Sequence, residues 1–210
     1  MGMGKLAFLF PGQGAQVVGM GKDFFDTYDL AKKRFAEADE ALGYSISKLC
    51  FEGPADQLQL TEHTQPAILT VAVIAAELLR AEGIEPEIAA GHSLGEYAAL
   101  VAAGVLSFQD AVVLVHKRGA YMQEAVPVGE GAMAAVIGLD DDTIIAVCAE
   151  ASAAGAVQAV NFNCPGQTVI AGTAKGVETA VQLLQEKGAK KAVILPVSAP
   201  FHSTLMAPAA

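Results

Sequence analysis

The chain has 210 residues, 53% hydrophobic and 17% charged, which excludes a disordered polypeptide and leaves room for one large domain or a domain with a smaller insert. A net charge of -10 argues against a nucleic-acid binder, and any anionic ligand must be met by a local cationic site because the overall field repels it. The longest apolar run, residues 66–76, is shorter than the ~20 residues of a membrane span and no basic leader with a cleavage site is seen, so the expectation is a cytoplasmic protein without membrane association.

Residues 6–10 (LAFLF) form an apolar strand that ends at Pro11-Gly12-Gln13-Gly14-Ala15-Gln16. Backbone N–H groups just past such a strand can face a ligand. A phosphate cradle, an oxyanion-binding loop and a plain turn all fit, although Gly12-x-Gly14 is too short for a dinucleotide fingerprint and lacks the P-loop lysine. Residues 23–42 have helical spacing with a charged face (Lys32, Lys33, Glu37, Asp39, Glu40) and stop at Gly43. Short helical pieces at 45–51 and 55–60 precede a long helix capped by Thr64. Its stripe of Ala67, Ile68, Val71, Ala72, Ala75, Leu78 and Leu79 is expected to lie against a sheet, and Gly83 ends it.

Residues 88–90 read as a short buried strand and residues 94–103 (LGEYAALVAA) as a helix, with Gly91-His92-Ser93-Leu94-Gly95 between them. Strand, Gly-x-Ser-x-Gly, helix is a nucleophile elbow, a sharp turn that lifts a serine hydroxyl above a parallel sheet at the next helix's N-terminus. A side chain at either glycine would clash with the neighbouring strand or helix. Ser93 is therefore the candidate nucleophile, against the bland alternative of a tight turn with an idle serine. The His92 side chain must leave on the opposite side.

Ser107 caps the next helix, which runs to about residue 126 with an apolar face of Ala111, Leu114, Val115, Met122 and Ala125. Arg118 falls on that face, whereas Lys117 points elsewhere. A guanidinium on an apolar stripe is costly unless an anion pairs with it. A structural ion pair or snorkelling to the rim would explain it, and so would an anchor gripping a substrate carboxylate at two points.

From Gly131 the pattern changes to strand (132–138), helix (140–153), a hairpin (157–163 and 167–172) around Pro165-Gly166, helix (175–187) and strand (192–197). This βαββαβ order reads as an inserted ferredoxin-like unit with its own small sheet, entered near Gly129 and left near Ser198. Residues 198–203 then deliver His202 on a proline-containing loop, where a base for Ser93 could sit. His63 and His116 have no such setting and are expected at the surface. Cys50, Cys148 and Cys164, an odd number without Cys-x-x-Cys spacing, point to reduced thiols and to neither metal nor disulfide.

With these pieces placed, the chain resembles the malonyl-CoA:acyl carrier protein transacylases of fatty acid synthesis over its whole length. The resemblance rests on FPGQGAQ (10–16), TQPAI (64–68), GHSLGEYAAL (91–100), KRGAYMQEA (117–125), GAMAAVIGL (131–139), VNFNCPGQTVIAG (160–172) and PVSAPFHSTLM (196–206). It implies an α/β fold: an α/β-hydrolase-like large subdomain (1–128 and 199–210) with a parallel sheet and the nucleophile elbow, carrying a ferredoxin-like small subdomain (129–198). It also implies Ser93 as nucleophile, His202 as its base, and the N–H groups of Gln13 and Leu94 as the oxyanion hole. Arg118 would bind the malonyl carboxylate, with Gln13, Met122 and Phe201 beside the substrate. The implied partners are malonyl-CoA and acyl carrier protein, with no cofactor, no metal, no nucleic acid, and a monomeric full-length protein.

An acidic carrier protein docking on an acidic enzyme needs a local basic patch, and Lys190-Lys191 is the candidate. Members of this family continue past the histidine, through the residue that orients it. The given chain ends at Ala210, so the expectation is a piece of a longer enzyme. Asp110 and Asp140-Asp141-Asp142 sit at helix starts and read as caps, not as the histidine's partner. The rival readings are a polyketide-type acyltransferase with the same chemistry, a serine thioesterase or other hydrolase, and an inactive carrier-binding fragment.

Overall fold

The computed structural model describes residues 5–127, 129–195, 197 and 199–210. Contacts divide the chain into two compact units, Met1–Ala120 and Tyr121–Ala210.

In the first unit, β1 (Ala7–Phe10) pairs in parallel with β2 (Ile88–Gly91), in the register Ala7↔Ile88 to Phe10↔Gly91. The helices are α1 (Lys22–Thr27), α2 (Asp29–Leu42), α3 (Ile46–Glu52), α4 (Ala55–Leu58), α5 (Thr61–Ala81), α6 (Gly95–Ala102) and the start of α7 (Phe108–Glu124). The strands alternate: Phe8 and Phe10 are buried, whereas Leu9 is 78% and Ile88 50% exposed. The buried strand expected at 88–90 is thus covered on one face only, because side chains along a strand point to opposite faces.

The helix expected over 23–42 is two helices. Tyr28 between them is extended (φ -119°, ψ 127°), and its N–H closes α1 on the Phe24 carbonyl. Gly43 ends α2 in the left-handed region (φ 74°), as the sequence implies.

The long helix α5 starts before Thr64. Thr64 is buried inside its first turns, and its hydroxyl donates to the Leu58 carbonyl at 2.6 Å, so it joins α5 to α4 and is not the cap. The expected stripe is also displaced. Ala67 and Ile68 are buried with Leu69, Val73, Ile74 and Ala76, whereas Val71, Ala72, Ala75 and Leu78 are half-buried and Leu79 is exposed. Residues 64–70 of α5 are all buried, and its apolar side chains share one core with Phe35, Ile46, Leu58, Leu94 and Val112. With its polar ends included, α5 is long and apolar enough to cross a membrane, beyond what the run at 66–76 suggests, and 56% of its most apolar window is buried in the structure.

In the second unit, β3 (Gly131–Ile137), α8 (Asp141–Ala151), β4 (Val157–Cys164), β5 (Gln167–Thr173), α9 (Ala174–Glu186) and β6 (Lys191–Ile194) follow the expected βαββαβ order. Their antiparallel sheet has the order β4-β5-β3-β6. Asp140 and Thr173 cap α8 and α9 by accepting from the Thr143 and Gly176 amides. Ile144, Val147, Val177, Ala180 and Leu184 pack on Ala134, Val136 and Ile170 of the sheet. Met133, Val169 and Ala171 form a separate cluster with Leu195, Val197 and Phe201.

The division between the units falls inside α7, not near Gly129, and residues 199–210 group with the second unit. The cause is an apolar cluster of Met122, Val126 and Met206 with Ala125, Phe201, Leu205 and Ala209, which ties the end of α7 to the 3-10 helix Thr204–Ala209. The expected boundaries at Val128 and Ser198, and Pro196 of the last expected strand, lie outside the described residues.

Candidate active site

The turn between β2 and α6 carries Ser93 at φ 52°, in the left-handed region. A non-glycine residue held there stores about 1–3 kcal/mol of strain, which the surrounding packing must overcome. Both flanking glycines are required by contact. A Cβ on Gly91 would lie 1.9 Å from the Gly95 carbonyl carbon, and one on Gly95 would lie 2.2 Å from the Phe10 carbonyl oxygen. The loop after β1 is equally close, because a Cβ on Gly12 would meet His92 Nδ1 and its carbonyl oxygen at 2.7 Å. The His92 amide donates to the Phe10 carbonyl (3.0 Å), so β1, its loop and the elbow are joined as one piece.

Gln13 sits in that loop, half-buried, with Nε2 donating to Thr61 Oγ1 at 3.4 Å. Leu94 is buried directly after Ser93. Among the described residues, no backbone hydrogen bond is given by the N–H of Gln13 or of Leu94.

Arg118 reaches the elbow from α7. Its Nη2 donates to Ser93 Oγ (3.2 Å) and its Nη1 to Gln65 Oε1 (2.8 Å), while the guanidinium carbon lies 5.5 Å from the centre of the Tyr97 ring. Burial pushes this guanidinium below its usual range, and the opposing pull comes from Tyr97 and Glu96. Among the described residues Arg118 is in no ion pair, so the structural-ion-pair explanation is set aside. A guanidinium held beside a serine hydroxyl in a partly desolvated position can receive an anionic group there. Gln65, which holds Arg118 here, is the candidate that sequence reasoning missed. It is 1% exposed, and a polar side chain among the buried residues of α5 was the available signal.

The second unit places the remaining candidates. Met122 is buried with Val126 and Met206, and Phe201 is half-buried, touching both that cluster and the one around Met133. His202 is exposed and also left-handed (φ 62°), at a turn in which the Ser203 amide and hydroxyl both donate to the Pro200 carbonyl (3.2 and 2.7 Å). Lys190 and Lys191 are exposed at the start of β6, in no ion pair among the described residues.

His63 and His116 are half-buried, not at the surface as expected, because both flank the Tyr44 ring (centroids 5.3 and 5.7 Å). Asp140 is a cap, accepting from the Thr143 amide at Oδ1 (2.9 Å), whereas at Asp110 the capping side chain is Ser107, whose Oγ accepts the Asp110 amide (3.1 Å) and donates to the Asp110 carboxylate (2.6 Å). Among the described residues no three His, Cys, Asp or Glu side chains gather where a metal could bind.

Residues 7–210 match the acyl transferase domain family. The chain is 56% identical over 209 residues to the malonyl CoA-acyl carrier protein transacylase of Bacillus subtilis (strain 168), covering 99% of this chain and 66% of that protein. The solved acyl-carrier-protein S-malonyltransferase of Burkholderia pseudomallei 1710b superposes with TM-score 0.94 at 57% identity, over 98% of this chain and 67% of that one. A malonyl-transacylase solved in complex with a type II polyketide synthase acyl-carrier protein gives TM-score 0.95 at 46% identity, over 98% of this chain and 67% of that one. The chain thus spans about two thirds of the length of the relatives it matches. It belongs to the acyl transferase domain family and, within it, to the malonyl CoA-acyl carrier protein transacylases.

Proposed function

We propose that this protein transfers a malonyl group from malonyl-CoA to the phosphopantetheine thiol of an acyl carrier protein, through a malonyl-Ser93 ester. The observation that carries the reading is the Arg118 guanidinium 3.2 Å from the hydroxyl of a left-handed elbow serine. An ordinary esterase elbow needs no cation at that point. An acyl group ending in a carboxylate does.

Ser93 is a weak nucleophile until a base accepts its proton, and we assign that role to His202. Ser93 Oγ attacks the thioester carbonyl, and the negative charge on its oxygen is met by the amides of Gln13 and Leu94. Removing one donor from such a hole typically costs about 3 kcal/mol. The C–S bond then breaks, and His202 returns the proton to the departing CoA thiol. In the second half-reaction the carrier's thiol gives its proton to His202 and attacks the ester, and Ser93 regains the proton as it leaves. The reaction is ping-pong and uses no cofactor.

Arg118 holds the free carboxylate, with Gln13, Met122 and Phe201 beside the acyl group and Lys190-Lys191 meeting the acidic carrier. The α/β-hydrolase-like part with its ferredoxin-like insert, a monomeric full-length protein and a cytoplasmic setting belong to the same proposal. A carrier protein of polyketide synthesis is the second reading, favoured by the relative bound to such a carrier.

The test is acylation with radiolabelled malonyl-CoA followed by chase with carrier protein. Label should be retained on the wild type, absent from Ser93→Ala, and discharged by holo-carrier much faster than by water. Label released to water at the same rate with or without carrier would make the protein a hydrolase. Chasing with fatty-acid and polyketide carriers in parallel decides between the two acceptors.

A further inference from the structure

We propose that His116 is a positioning residue for Arg118: it completes the hydrogen bond that Pro66 removes from α5, and so sets the register of α7 against α5. The proposal rests on the reading of Arg118 as the carboxylate anchor. In a helix each amide bonds the carbonyl four residues back, so the Glu62 carbonyl would be met by residue 66. Residue 66 is proline, which has no N–H to give. Here His116 Nδ1 lies 3.0 Å from the Glu62 oxygen, across from α7. A carbonyl can only accept, so Nδ1 carries the proton.

The neighbouring contacts place this bond where the two helices meet most closely. At Gly119, α7 presses so close to α5 that a Cβ would lie 2.6 Å from the Thr61 oxygen and 2.7 Å from Glu62 Cα. Between His116 and Gly119 on α7, Arg118 reaches Gln65 on the next turn of α5 and Ser93 beyond it. Thr61, at the same end of α5, receives Gln13 Nε2 from the loop after β1. The Tyr44 ring, 5.7 Å away, backs the imidazole. A slip at the 116–62 contact therefore moves Arg118 relative to the nucleophile without touching substrate.

The experiment compares acylation by malonyl-CoA and by acetyl-CoA, which lacks the carboxylate. His116→Ala should lower the malonyl preference by about five- to ten-fold, the loss of one hydrogen bond, through KM for malonyl-CoA and not kcat. His116→Asn, whose amide nitrogen occupies the place of Nδ1, should restore it to within about two-fold. His116→Gln, one bond longer, should not. In a Pro66→Ala background the helix supplies its own donor, so His116→Ala should become nearly silent there. An unchanged preference in His116→Ala, or an equal loss in both backgrounds, overturns the proposal. Should His116→Ala fail to fold, the Pro66→Ala/His116→Ala and His116→Asn proteins carry the same comparison.

Nitrogen NMR of His116 in the full-length protein should show Nδ1 protonated in the neutral ring, and Nε2 protonated instead would refute the bond directly. A wild type that accepts no malonyl group would sink the functional reading, whereas the NMR assignment would still decide the His116–Glu62 bond, as would denaturant titration of the two single variants and the double variant, in which His116→Ala should destabilise the protein less in the Pro66→Ala background than in the wild type.

Discussion

If the proposed role of Arg118 holds, replacing it with methionine should separate recognition of the acyl group from chemistry on it. Methionine keeps an unbranched apolar stem beside the Tyr97 ring and removes the charge. In the free protein the guanidinium already spends one donor on Gln65 (2.8 Å) and one on Ser93 (3.2 Å). A bound carboxylate can replace Ser93 as the partner of Nη2 while Nη1 stays on Gln65. The gain lost in the variant is then one charge-assisted contact, about 2–3 kcal/mol in a partly desolvated position. That corresponds to ~30- to 150-fold in kcat/KM for malonyl-CoA. Acetyl-CoA offers no carboxylate, so its rate should be unchanged or rise, since a costly buried charge has gone. Rapid-quench measurement of Ser93 acylation by each donor reads both numbers. Equal losses with both donors would show that Arg118 supports the elbow and not the acyl group, and the reasoning would fail.

Charge reversal at Lys190 and Lys191 should raise KM for carrier protein severalfold and leave acylation by malonyl-CoA intact; a parallel fall in both half-reactions would remove the patch from the docking role. Phe35 is fully buried, with the Phe25 and Phe51 rings at 5.9 and 4.9 Å, so Phe35→Ala should destabilise the first unit by about 3–5 kcal/mol in denaturant titration. Burial pushes the Cys50 thiol up to about 12 and that of Cys148 to about 11, whereas Cys164 is exposed. A thiol reagent at neutral pH should therefore label Cys164 and reach the other two only on unfolding. Because these thiols are held neutral, they stabilise the fold below their unfolded value of about 8.5, and that contribution should fade as pH rises from there through about 11 to 12.

The parts legible in the sequence were those decided by local sterics. Gly91 and Gly95 announce the elbow because no Cβ fits at either place; the exclusion at Gly91 belongs to the turn itself, whereas that at Gly95 comes from the Phe10 carbonyl of β1. The βαββαβ order was readable because strand and helix periods differ and because Asp140 and Thr173 cap as their short polar side chains allow. Arg118 drew notice because a charge on an apolar stripe needs a reason.

The break at Tyr28 carried no proline or glycine to mark it, and Thr64 looked like a cap because its actual partner, the Leu58 carbonyl, is supplied by another helix. What Arg118 touches was equally hidden: Gln65 and Ser93 stand 53 and 25 residues away, and no local rule joins them. His116 shows the same limit, since its value depends on a carbonyl that a proline 50 positions earlier left without its helix donor. Local backbone chemistry thus determined by itself where a nucleophile could stand and which arginine was out of place. Only the packing of α5 against α7 decided what holds that arginine, because hydrogen bonds between distant segments exist only once hydrophobic burial has brought the helices together.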